Sequence, residues 1–230
     1  MCGIFGSYDF DEFIHLAELN SERGAVSHSA VAIDASSRGV VCNHKALNVF
    51  RAFGDSISRY SYRTLYIGHV QAPTTTERNK DWIHPVEFAG SMLWHNGILK
   101  PKTIERLGAG DKWDSRILLS HILGKHDLGE IDGSFSCVMY DPGFGRWFFK
   151  NGRPLLVFFR NALAPMFVKG METDGVNTIN VQTFSSMPFV DAKETDCDIV
   201  YFMDPADGIM VPVERFKTHT MPYHLPENDK

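Results

Sequence analysis

Met1-Cys2-Gly3-Ile4-Phe5-Gly6 opens the chain, and the rest of the sequence is arranged around it. A cysteine directly behind the initiator methionine has a small side chain, so the methionine is expected to be trimmed. Cys2 then carries a thiol and a free α-amine on one residue. An α-amine titrates at roughly 7.7–8.0, close enough to working pH to act as a general base. A thiol with a base at bonding distance is an activated nucleophile. Gly3 and Gly6 allow close backbone approach, and Ile4 and Phe5 anchor the segment as a buried strand. Taken alone, Cys2 reads better as an incidental residue on a frayed end. The residues downstream decide.

Composition narrows the function classes first. With 230 residues, 43% of them hydrophobic, the chain forms one large domain or two small ones with ample core. A net charge of -5 gives no basic footprint for nucleic acid and no polybasic membrane contact. No apolar run reaches membrane-spanning length, and the N-terminus has no signal-peptide pattern. Cys2, Cys42, Cys137 and Cys197 lie far apart with no CxxC pair, which points to reduced thiols in a cytoplasmic protein, without a disulfide frame or a zinc site. No pair of histidines has good metal-ligand spacing. His121 and His126, at i and i+5, do not share a helix face, so neither metal nor cofactor is expected.

In chain order, Asp9 to Glu12 reads as a capping box, with Asp9 as N-cap and Glu12 reaching back. Phe10, Phe13, Ile14 and Ala17 then place one apolar face on a helix that Asn20 and Ser21 end. Ala30–Asp34 and Gly39–Cys42 read as strands, as do Leu65–Val70 and Ser91–His95, the last two each leading into a polar loop. Asp114 starts a second helix, with Ile117, Leu118, His121 and Ile122 on one face and Gly124 as its stop. From Ser134 the pattern turns to β: Ser134–Tyr140, Trp147–Lys150, Leu155–Phe159, Ala164–Lys169, Asn180–Phe184, Ile199–Met203 and Ile209–Val213. Asp141-Pro142-Gly143 and Asp207-Gly208 supply turns. Many strands with few amphipathic helices imply an α+β fold, sheets packed on each other and covered by helices. Residues 1–216 make the domain, and 217–230 form a polar tail too short to fold alone.

Further stretches join Cys2-Gly3-Ile4. They are Arg23-Gly24, then His69 to Thr74, His84-Pro85, His95-Asn96-Gly97 and Asp114-Ser115, followed by Gly133-Ser134-Phe135 and Pro154-Leu155. In this order and approximate spacing the chain resembles the glutaminase domain of class II glutamine amidotransferases, members of the N-terminal nucleophile (Ntn) hydrolase superfamily. That family shows Cys-Gly-Ile, Arg-Gly, His-x-Arg-x-x-Thr, His-Pro, His-Asn-Gly and Asp-Ser or Asp-Thr in the same sequence. The resemblance implies a four-layer αββα sandwich and hydrolysis of the glutamine side-chain amide, with no cofactor.

It also implies roles. Cys2 is the nucleophile, and Asn96 and Gly97 are the oxyanion donors, through a side-chain amide and an unobstructed backbone N–H. Gln71, Thr74, Thr75 and Asp114 bind substrate, with Asp114 receiving the α-ammonium. Arg23 braces the loop around the nucleophile, and His69, His84 and His95 support by packing or hydrogen bonding. Local readings compete with these. Asn-Gly between apolar runs is a type I′ hairpin turn. An aspartate ahead of an apolar-periodic stretch is an N-cap, and Arg23 is equally a solvated residue in a helix-ending turn.

Two positions depart from the pattern. Gln71 stands where the family has an arginine that clamps the substrate carboxylate, so a charged bidentate fork becomes one neutral NH₂. A bond to a charged group is worth about 1.5–3 kcal/mol, so glutamine binding is expected to weaken about ten- to a hundredfold. Val26 stands where an acidic residue is common after Arg-Gly. No stretch here corresponds to the family's ammonia-consuming synthase domain, which implies a separate ammonia-accepting enzyme as partner. The alternatives are a weak or inactive binding module of the same fold and an Ntn amidohydrolase acting on another γ-glutamyl amide.

Overall fold

The computed structural model describes residues 2–24, 26–47, 59–60, 63–72, 80–142, 154–173 and 178–218. Among them the elements run β1 (Gly3–Ser7), α1 (Phe10–Ser21), β2 (Ser27–Asp34), β3 (Val40–Leu47), β4 (Thr64–Gln71), β5 (Val86–Phe88), β6 (Ser91–Leu99), α2 (Pro101–Leu107), α3 (Asp114–Leu123) and β7 (Gly133–Asp141). They continue with β8 (Leu155–Arg160), β9 (Phe167–Thr173), β10 (Thr178–Ser185), β11 (Lys193–Glu194), β12 (Ile199–Met203) and β13 (Ile209–Arg215). The expected strand at Trp147–Lys150 lies outside the described residues.

The strands form one curled antiparallel sheet, in the order β3-β2-β4-β1-β10-β13-β12-β8-β7-β6-β5, with β9 on β10 and β11 on β9. Strand β10 is the joint. It pairs with β9 along one edge, and along its other edge it takes β13 at Ile179 and Asn180 and β1 at Thr183 to Ser185. With the helices, this makes the fold α+β.

Alternation along the strands sorts the apolar residues into three clusters. Ile4, Val31, Ile33, Leu65 and Ile67 meet Trp94, Val138, Tyr140, Leu156 and Phe158 in the central one. Their strand neighbours point the other way. Phe5, Ala30, Ala32 and Tyr66 pack with Phe13, Leu16 and Ala17 of α1. Leu93, Phe135, Cys137, Met139, Val157 and Phe159 pack with Leu118, Leu119 and Ile122 of α3. Both faces of the strands are thus filled, as strict period-two burial requires.

Local chemistry fixes the ends. Asp9 caps α1, accepting from Glu12 N at 2.9 Å. The second half of the expected box is replaced, since Asp9 N donates to Ser7 Oγ at 3.0 Å. Helix α2, with Pro101 at its start, was not foreseen. At α3 the N-cap position falls on Trp113, and Asp114 is the first helical residue, which corrects the N-cap reading of Asp114. No helix among the described residues is long and apolar enough to cross a membrane.

The hairpin reading of Asn96-Gly97 is overturned. Strand β6 continues through both residues and stays paired with β7 to Leu99, opposite Gly133. Gly97 sits at φ 152°, and a Cβ there would lie 1.9 Å from the Ser134 carbonyl oxygen and 2.9 Å from Phe135 Cα. The neighbour is backbone and has nowhere to move, so only glycine fits. Gly97→Ala is expected to lower stability by at least about 3 kcal/mol in urea denaturation. Gly39→Ala, which meets only the Ser37 side chain within 4 Å, serves as the comparison and should stay within about 1 kcal/mol. Equal effects would mean that β6 and β7 separate freely at Gly97.

Candidate functional site

Strand β1 delivers Cys2 to the end of β4. The ladder pairs Gly3 with Val70 and Ile4 with His69, and the Cys2 thiol faces the Ala72 carbonyl, with Sγ 3.8 Å away. A second loop locks β1 from the other side. The Ile4 backbone is held at both groups by Ser186, its N–H donating to the Ser186 side-chain Oγ at 2.8 Å and its carbonyl accepting from Ser186 N at 2.8 Å. Arg23 Nη1 donates to the Ser186 carbonyl at 2.8 Å. Asn20, buried in the last turn of α1, donates to Ser185 Oγ at 3.0 Å and to the Leu16 carbonyl at 2.8 Å. A Cβ on Gly3 would fall 2.6 Å from Asn20 Oδ1, so the strand lies directly on this brace. Asn20, Ser185 and Ser186 carried no site signal in the sequence, where Asn20 read only as a helix end.

Burial pushes the Cys2 thiol up to about 11; the Asp114 carboxylate acts in the same direction, and the Arg23 guanidinium opposes it. Three residues far apart in sequence are therefore close enough to feel one another's charge. Burial thus favours the protonated thiol at neutral pH.

On the facing strand, Trp94 of β6 belongs to the central cluster, as Ile4 of β1 does. Two residues along from Trp94, alternation puts Asn96 on the same face of β6. Asn96 is buried, opposite Ser136 of β7.

Gln71 ends β4 opposite Ser27, whose hydroxyl donates to Gln71 Oε1 at 3.2 Å, and the Gln71 carbonyl accepts Val26 N at 3.1 Å. The two positions that depart from the motif are thus neighbours. Thr74 and Thr75 lie outside the described residues.

Ser115, the residue after Asp114, is the hub of a buried polar cluster. Its Oγ lies 2.8 Å from His84 Nε2, 3.1 Å from His95 Nδ1 and 3.3 Å from Asp114 Oδ1. His69 Nε2 reaches the His95 carbonyl at 3.3 Å, bridging β4 to β6, and the His69 and His84 rings meet at a tilt of 35° with centroids 4.1 Å apart. Burial drives His69 down to about 3, His84 well below its ordinary value and His95 downward, so all three are neutral at working pH.

One hydroxyl has one hydrogen, and the network assigns it. His95 Nε2 faces the Ser134 carbonyl at 3.5 Å, where only an N–H is favourable, so Nδ1 accepts from Ser115. His84 must then donate Nε2–H to Ser115 Oγ. The matching Nδ1 atoms of His69 and His84 are buried without a partner. The Asp114 carboxylate is left to two backbone donors, Ser115 N at 2.8 Å and Leu99 N at 3.4 Å. Its negative charge is not spent on a cationic partner in these contacts.

The expected separation of His121 and His126 is overturned. Helix α3 ends at Leu123, Lys125 takes φ 62°, and the chain folds back so that the two rings stack with centroids 4.9 Å apart. The i, i+5 argument assumed one continuous helix.

No protein-family model matches the chain, and no curated protein matches it. Among solved structures, it is similar to the glutamine phosphoribosylpyrophosphate (PRPP) amidotransferase from B. subtilis, complexed with ADP and GMP. The TM-score is 0.61 at 19% identity, over 94% of this chain and 49% of that one. The chain thus spans about half the length of that amidotransferase. A predicted glutamine amidotransferase from Pseudomonas aeruginosa PA01 aligns at a TM-score of 0.40 and 11% identity, over 89% of this chain and 93% of the other, too low to argue from. The first likeness is one of fold.

Ser115→Ala strands a buried N–H on His84 and a buried acceptor on His95, each costing about 1–3 kcal/mol. Urea denaturation should register that loss, and long-range ¹H–¹⁵N spectra should show the His84 Nε2–H resonance shifted. Unchanged stability with an unchanged histidine spectrum would mean that Ser115 holds nothing together.

Proposed function

We propose that this chain releases ammonia from the side-chain amide of glutamine with Cys2 as nucleophile, once Met1 is removed, and hands the ammonia to a separate synthase or synthetase. The same reading takes the three apolar clusters as the fillings of a four-layer αββα sandwich of the Ntn type, in a cytoplasmic protein. The observation that carries it is the placement of Cys2 at the head of a strand braced by β4 on one side and by Ser186 on the other, where burial raises the thiol and Asp114 and Arg23 act on it. Such a thiol needs a base within reach. The buried histidines are too weakly basic to serve, and the α-amine of Cys2 itself is suited to the task.

The chemistry follows from the residues. Cys2 Sγ attacks the amide carbon while the α-amine takes the thiol proton. The oxyanion of the tetrahedral intermediate is met by Asn96 Nδ2 and Gly97 N–H, one such donor being worth about 2.7–4 kcal/mol. Collapse passes the proton to departing ammonia and leaves a thioester on Cys2, which water then cleaves to the free acid. Asp114, with its carboxylate held by backbone donors, receives the substrate's α-ammonium.

Cys2→Ala and Cys2→Ser should abolish ammonia release, and a glutamine-like diazo-ketone should add its mass to Cys2 alone. Cys197 is exposed and Cys42 half-buried, so a merely reactive probe would find them. Label on Cys42, Cys137 or Cys197, or a mature protein that retains Met1, would sink the assignment.

Gln71 supports a second reading, in which the substrate is another γ-glutamyl amide or the site is catalytically weak. Its side-chain oxygen is already held by Ser27. If glutamine is the substrate, Gln71→Arg should lower KM about ten- to a hundredfold with much less effect on kcat. Tight glutamine binding by the unaltered protein, unimproved by arginine, would show that another residue holds the carboxylate.

A further inference from the structure

A second cluster of chemistry-bearing side chains lies at the opposite end of α3 from Asp114. Gly124 closes the helix with its N–H on the Ser120 carbonyl at 2.9 Å, and His126 N returns to the His121 carbonyl at 3.2 Å. The next residue, Asp127, accepts from His121 Nε2 at its backbone carbonyl, 2.9 Å away, and its carboxylate caps the following 3-10 turn through Gly129 N at 2.8 Å. That turn, Leu128–Glu130, brings Glu130 Oε2 to 3.9 Å from His121 Nε2. One ligand-type atom from each of His121, His126 and Glu130 lies within 4.8 Å of the others.

We propose that His121, His126 and Glu130 bind a zinc-class dication, with the Asp127 carbonyl as a fourth donor. A tetrahedral centre with bonds of about 2.0–2.2 Å sets its ligands about 3.4 Å apart. His121 is buried and its ring fixed, whereas His126 and Glu130 are exposed and can close the remaining gap by rotamer changes. On binding, His121 carries its proton on Nδ1, and the Asp127 oxygen that accepted from Nε2–H turns to the metal instead. The C-terminal carbonyls of α3 add negative potential at the same point. Two imidazole nitrogens select a borderline transition ion over magnesium or calcium, which take oxygen ligands. Arg106, whose guanidinium holds the Glu130 backbone carbonyl, opposes the charge and moderates the affinity.

The ion would staple the end of α3 to the turn that leads into β7. Asp114 begins that helix, and β7 is the ladder partner of Asn96 and Gly97. Occupancy therefore stiffens two elements of the candidate site without touching substrate.

Titration calorimetry and thermal melts on the chelator-treated full chain test this with zinc, magnesium and calcium chlorides. A cysteine beside a free amine can itself take zinc, so the measurement is repeated on Cys2→Ser. The expectation is one zinc per Cys2→Ser chain, a raised Tm, and no response to magnesium or calcium. Removing hydrogen-bond partners of ligands costs 10–100-fold elsewhere, so His126→Ala and Glu130→Gln should each weaken zinc at least about tenfold. Both positions are exposed, so these variants keep the fold. Zinc binding that is absent, that persists unchanged in both variants, or that disappears with Cys2→Ser overturns the proposal.

Discussion

Strand β1 is hydrogen-bonded along both edges, to β4 and to β10, and all five of its residues are buried. That double confinement is what the candidate site depends on. A slip of one residue would carry Ile4 out of the central cluster and Phe5 out of the α1 cluster, exchanging the two faces along the strand. The register of β1 is therefore held by apolar burial, and the position of Cys2 is held with it. Arg23, Asn20, Ser185 and Ser186 then fix the strand's remaining polar groups against the end of α1. Cys2 itself is half-buried, at the head of a strand that is wholly buried.

The same dryness sets the electrostatics on both sides of the site. It keeps the Cys2 thiol protonated and keeps His69, His84 and His95 neutral. A neutral imidazole locked between Ser115 and backbone carbonyls works as a spacer with directed hydrogen bonds. This makes Ser115, a residue with no acid-base chemistry of its own, the organiser of the histidines. The Asp114 carboxylate meanwhile accepts from the backbone amides of Ser115 and Leu99.

Much of the fold was legible because period-two burial leaves a strong trace. Ile199–Met203 was read to the residue, and β4, β7 and β10 to within a residue or two at each end. What failed was local chemistry overruled by pairing. Asn96-Gly97 carries the signature of a tight turn, yet the close approach of β7 uses the glycine to keep the ladder going. Asp114 reads as a cap because an aspartate before an apolar stretch usually is one, whereas the cap position falls one residue earlier. The brace residues and the fold-back of His126 onto His121 were invisible for a simpler reason. Serines after a strand and histidines past a helix stop have no periodicity, and only the tertiary path of the chain brings them to a partner. Of the substrate-side candidates, Gln71 and Asp114 are found on converging elements, with Arg23 beside Ser186.

The joint at β10 has a mechanical meaning. Strands β1 to β4 hang on one stretch of its edge, and the β13-β12-β8-β7-β6 arm meets it at Ile179 with Met210, at Asn180 with Ile209 and where Val181 N donates to the Gly208 carbonyl at 2.8 Å. Each arm has its own helix-covered apolar cluster, so each is a cooperative unit in its own right. Between them run the central cluster and a set of polar ties: the Arg38–Asp204 ion pair, the Tyr8 hydroxyl on the Pro205 carbonyl, the Tyr140 hydroxyl on the Arg38 carbonyl, and Lys45 with Glu87. Packing and these polar ties together resist sliding of one arm on the other. How the two arms sit together depends in part on how Ile4, Trp94 and their neighbours interlock. A lost methylene in that layer acts on the relative angle of the two arms as well as on stability.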